Sequence, residues 1–112
     1  MTLEHIYYIA MYGVLEAIFD EEPTEERRDY LTDANPYIWK TRISADPAEY
    51  ARWQKFYKLT FGDKQLNTDE AYDFALKYLE TYTTLSTDFT KVTKKQWATL
   101  CNIIKEEEHY EG

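Results

Sequence analysis

Residues 6–15 read IYYIAMYGVL, ten positions without a charge. Around them Leu3, Ile6, Tyr7, Ala10, Val14 and Ile18 follow the three-four spacing of one helix face, and Tyr8, Met11, Leu15 and Phe19 form a second apolar stripe beside it. A helix that is apolar over most of its circumference has to be surrounded by other elements. The pattern therefore predicts a helix from Thr2 to about Asp20 at the centre of a small bundle, with His5, Glu16 and Asp20 on its narrow wet edge. Gly13 lets another element approach closely, at some cost in helix propensity. Ten apolar residues are too few to span a bilayer. Glu4 and His5 stand where a leader would be basic, so neither a signal peptide nor an anchor is expected.

Capping chemistry divides the rest. Pro23 ends the first helix, and Thr24 caps a short polar second one that stops near Asp33, with Glu25 and Glu26 favoured by the helix dipole. Asn35-Pro36 is expected to open a single turn through Trp39. Asp46-Pro47 opens a longer helix to Phe61, with Glu49 completing a capping box and Gly62 as its stop. Asn67 and Glu70 cap a fourth helix carrying Ala71, Tyr72, Phe74, Ala75, Leu76, Tyr78, Leu79 and Tyr82 on one face. Residues 81–93 lose the period. Thr93 and Gln96 cap a fifth helix burying Trp97, Leu100, Cys101 and Ile104. Tyr37, Trp39, Thr41 and Ile43 alternate with Ile38, Lys40 and Arg42 as a strand would, and 87–92 alternate weakly, so a minor two-stranded pairing competes locally, although two strands alone are marginal. The expected fold is all-α: a compact bundle of four to five helices in one domain, residues 1–112, of a size that holds a single core.

Charge restricts the partners. The net charge is -8, which argues against nucleic acid and anionic membranes. It is unevenly spread: residues 1–33 carry nine acids and two bases, whereas residues 34–64 carry three acids and six bases. A single cysteine, Cys101, forms no internal disulfide and suits a reducing, cytoplasmic setting.

Catalytic signatures are sparse. Cys101 lies on an apolar face with no activating histidine in view. Ser44 and Ser86 sit in no glycine-framed elbow, and three glycines supply no phosphate loop. Glu106 and His109 have half the spacing of a di-iron helix motif, but no second Glu-x-x-His accompanies them. His5 reads as an edge histidine. No cofactor or metal is expected. Arg52, Lys55 and Lys58 recur three apart, as a phosphate-tracking stripe or, more plainly, as a solvated helix face.

What remains is recognition. Eleven tyrosines and three tryptophans exceed what a small core hides, and both residue types dominate protein–protein hot spots. Tyr37, Ile38 and Trp39 are expected to pin the 35–50 connector to the core, leaving Lys40 and Arg42 as a cationic tip. The candidate interaction surface comprises Tyr37, Trp39, Lys40, Arg42, Arg52 and Lys55, together with the acids Glu21, Glu22, Glu25 and Glu26. The sequence thus suggests a non-enzymatic interaction module, inhibitor- or immunity-like, taking a basic protein or a second copy of itself as a homodimer. The alternative is a regulatory protein with a small-molecule pocket among its tyrosines.

Overall fold

The computed structural model describes residues 1–111. Six helices follow in order: α1 Leu3–Glu21, α2 Glu25–Ala34, α3 Pro47–Phe61, α4 Thr68–Tyr82, α5 Ser86–Phe89 and α6 Lys94–Glu107, with no strand among the described residues. The α1 helix packs against each of the other five. Every residue from His5 to Tyr12 is buried, as an uncharged run in helical conformation requires. Thr2 starts the helix, its hydroxyl accepting from the His5 amide at 3.2 Å. At Gly13 a Cβ would stand 3.3 Å from Leu100 Cδ2, which is how α6 comes so close. No helix among the described residues is long and apolar enough to cross a membrane.

Aromatic rings fill the space around α1. Trp53 lies edge-on to Tyr8 and Phe74 at centroid distances of 5.6 and 4.9 Å, and Trp97 meets Phe89 at 5.5 Å. The tyrosines have a second task. Tyr7, Tyr8 and Tyr72 donate at 2.7 Å to the carbonyls of Leu66, Ala34 and Val92, all outside or at the ends of helices. Such carbonyls lack helical partners, and an unpaired buried one costs about 1–3 kcal/mol. These hydroxyls tie loops and helix ends to the core.

Both capping boxes at Asn67/Glu70 and Thr93/Gln96 form. The one at Asp46 does not: Asp46 accepts from the Ala48 amide, while Arg52 holds Glu49 at 2.7 Å. The two-stranded alternative fails on both sides. Residues 87–89 belong to the helical turn α5, which drives Phe89 into the core. Residues 36–41 form turns, and Arg42 adopts a left-handed φ of 61°, which breaks extended alternation. A bidentate Arg27–Asp88 pair, 2.5 and 2.9 Å, joins α2 to α5.

Candidate functional site

The connector between α2 and α3 is held almost entirely by polar bonds. Asn35 Oδ1 accepts from the Tyr37 amide at 2.8 Å and closes a turn, replacing the helical turn expected there. The Arg42 amide donates to Trp39 O at 3.0 Å. Trp39 folds its indole edge back so that Nε1–H donates to Ser44 O at 3.1 Å. Ser44, fully buried, accepts from the Tyr50 amide at 2.9 Å and donates to Asp46 O. The Asp46 amide returns to Asp33 O at 2.9 Å. His5, expected on the wet edge, is buried instead: Nε2–H donates to Arg42 O at 2.7 Å and the ring stacks on Tyr50 at 4.5 Å.

With its backbone fixed in this way, the segment leaves its apolar side chains in water. Tyr37, Ile38 and Trp39 are 46, 59 and 46 % exposed. They do not pin the connector, as their hydrophobicity suggests, because α1 is already covered by other helices. The Tyr37 ring lies edge-on to Tyr12 at 6.1 Å.

The expected cationic tip is also reduced. Arg42 does not point outward: its Nε donates to Glu108 Oε1 at 3.0 Å and its guanidinium lies 5.4 Å from the Tyr37 ring centroid. Lys40 stays exposed, with no ion-pair partner among the described residues. The left-handed conformation of Arg42 costs about 1–2 kcal/mol, as for any residue with a Cβ. Arg42→Ala keeps that strain and loses both side-chain contacts, whereas Arg42→Gly loses the contacts and relieves the strain. The glycine variant should therefore be more stable than the alanine variant by about 1 kcal/mol in thermal unfolding. The reverse order would show that Arg42 is not held in this conformation.

Acids surround the tip. Burial first, then the carboxylates of Glu107, Glu108 and Glu16, hold the Tyr37 phenol above its ordinary pKa, with Arg42 opposing. Beside it a groove of about 340 Å³ follows the α1–α2 seam, with Tyr12, Phe19 and Leu31 among its apolar lining and with Glu16 and Asp20 outweighing Arg28 among its charges. The seam ends at the Glu21–Pro23 turn. Of the predicted acids there, Glu21 and Glu25 are exposed with no ion pair among the described residues, Glu22 meets Lys91 at 3.3 Å, and Glu26 accepts from Thr84. The ten residues of α2, about 15 Å at the helical rise, separate these acids from the tip. Arg52 and Lys55 lie apart on α3. Arg52 is engaged with Glu49, with the Tyr78 hydroxyl at 3.1 Å and with the Tyr82 ring at 4.6 Å, while Lys55 is exposed.

Elsewhere, burial pushes the Cys101 thiol up to about 12, away from the thiolate a nucleophile needs. No group of three metal-ligating side chains occurs among the described residues. Glu4 is held above the usual carboxylate range by burial, against smaller lowering contributions from hydrogen bonds to Gln54, Trp53 and Tyr50 and from the charge of His5. A raised acid favours the folded state below its unfolded pKa, 4.5, and loses that contribution as pH rises through the folded value. At neutral pH ionised Glu4 is thus a cost. Glu4→Gln should be the more stable form in denaturant unfolding at pH 7, and its advantage should shrink as pH falls toward 4.5. A gap independent of pH would contradict this.

No family model, curated protein or solved structure matches the chain. The geometry of the surface is what a functional reading has to rest on.

Proposed function

We propose that this protein is a non-enzymatic interaction module that docks a basic protein partner through the Tyr37–Ile38–Trp39 tip and the acidic α1–α2 groove beside it. The observation that carries the reading is the exposure of three consecutive large apolar side chains on a backbone fixed by hydrogen bonds from the His5 and Trp39 rings and to the Asn35 and Ser44 side chains. Binding normally costs the entropy of ordering loops, and a loop already ordered avoids much of it. Tyr and Trp offer large contact area with few rotatable bonds. Acids around an aromatic centre steer a cationic partner and reject an acidic one.

An inhibitor- or immunity-like role in the cytoplasm, covering a cationic enzyme or nucleic-acid-binding protein, suits this arrangement. Self-association through a cationic tip is the weaker reading, because Arg42 is committed to Glu108. The test is capture from the host lysate by wild type and by Tyr37→Ala/Trp39→Ala in parallel, at low and high salt. A basic protein retained by wild type, released by salt and missed by the variant supports the proposal. Equal retention by the two forms removes the tip from it.

A further inference from the structure

We propose that the cleft between the start of α1 and the last turns of α3 binds a small zwitterion, a free amino acid or close analogue, with its ammonium on Glu4 and its carboxylate on Lys58. This site is separate from the docking tip and does not rest on that reading.

The cleft has a volume of about 310 Å³; its charged lining is Glu4, Lys58, Asp63 and Lys64, with Gln54, Tyr57 and Gln65 among the rest. That is the lower end of the range for small-molecule sites, about 300 Å³. Three features select its occupant. The first is an unneutralised carboxylate. Glu4 is half-buried, yet it forms no ion pair with any described residue. Its only side-chain bond shorter than 3.4 Å comes from Trp53 Nε1, at 3.1 Å; Tyr50 Oη stands 3.4 Å from each oxygen and Gln54 Nε2 3.5 Å from one. An ionised carboxylate offers about four acceptor sites, so capacity remains for a cationic donor. By contrast Glu49, the other carboxylate that burial raises, already has Arg52.

The second feature is a free cation on the same cleft. Lys58 follows Gln54 by one helical turn, about 5.4 Å along α3, and so shares its face. It has no ion-pair partner among the described residues, whereas Lys64 is held by Glu70 at 2.9 Å. Two charge-assisted bonds of about 2.8 Å, joined by a ligand's own short backbone, bridge one helical turn plus the reach of a flexible lysine.

The third is selectivity by sign. A bare amine satisfies Glu4 but leaves Lys58 without a partner, and a bare carboxylate satisfies Lys58 while meeting the charges of Glu4 and Asp63. Only a molecule carrying both charges satisfies both ends. The Tyr57 ring and the Gln54 and Gln65 amides are left to meet its side chain.

The Trp53 indole N–H, bonded to Glu4, is a built-in reporter. Each of the twenty free amino acids, with ethylamine and propionate as half-ligands, would be titrated into the 15N-labelled protein while this resonance is followed. At least one amino acid should move it saturably, and both half-ligands should bind about tenfold more weakly or worse, as expected for losing one charge-assisted bond. Glu4→Gln and Lys58→Ala should each weaken that amino acid by about tenfold or more with spectra that remain dispersed. Lys58 is exposed, so its variant tests the site without altering the Trp53 bond to Glu4 that serves as the reporter. No response to any amino acid, equal affinity for ethylamine, or undiminished binding by Lys58→Ala would each overturn the proposal.

Discussion

Replacing Trp53 with alanine should lower the melting temperature by at least about 10 °C, because removing a buried tryptophan costs roughly 3–5 kcal/mol and each kcal/mol shifts a domain near this size by about 4–8 °C. The ring is completely buried and lies between Tyr8 of α1, Phe74 of α4 and Tyr78 of α4. Its Nε1–H donates to Glu4 O at 3.2 Å and to the Glu4 carboxylate at 3.1 Å. Alanine therefore opens a cavity where three helices meet and strips a half-buried carboxylate of its best donor. Against a total stability of about 5–15 kcal/mol, that is a large fraction. Trp53→Phe keeps a ring but not the N–H, so it should melt between the two. A loss of only a few degrees for the alanine variant would show that the three helices do not meet around this ring.

Truncation of the tip should separate binding from stability. In Tyr37→Ala/Trp39→Ala the partner captured by the wild type should bind about 30- to 1000-fold more weakly, the range for losing about 2–4 kcal/mol of hot-spot energy. Folding should change far less. The two rings are nearly half exposed, and the main bond removed is that from Trp39 Nε1 to Ser44 O, worth about 1 kcal/mol. Calorimetric titration with the purified partner and a thermal melt of the same sample check both statements. A variant that melts with the Trp53→Ala form would show that these rings belong to the core after all.

The parts of the fold that depend on neighbours in sequence were legible from it. The α1 helix announces itself through an uncharged run, and Asn67/Glu70 and Thr93/Gln96 form their capping boxes because each pair needs only its own turn. Failures came where another partner competed. Glu49 leaves the Asp46 cap because Arg52, three residues on in the same helix, takes it, and His5 is drawn inward by a carbonyl 37 residues away. The threonine-rich stretch hid α5, which is set by distant partners: Phe89 finds Tyr72 and Trp97, and Asp88 finds Arg27.

The candidate surface was harder to read. Hydrophobicity places Tyr37, Ile38 and Trp39 inside, and only a three-dimensional count of what already covers α1 puts them outside. Its aromatic composition was visible in the sequence; the commitment of Arg42 to Glu108 and the union of the tip with Glu16 and Asp20 were not. Glu4 carried no signal, since its lack of an ion-pair partner among the described residues requires that none of the thirteen lysines and arginines reaches it.

The pinning of the 35–46 segment has a genetic consequence. Apart from the Trp39 indole edge, the side chains that hold the loop's shape lie outside positions 37–39, while those that would touch a partner lie inside them. Random substitution confined to three consecutive codons would then explore partner choice over a nearly constant scaffold. Variants at His5 or Ser44 would instead be purged for misfolding, whatever they recognise.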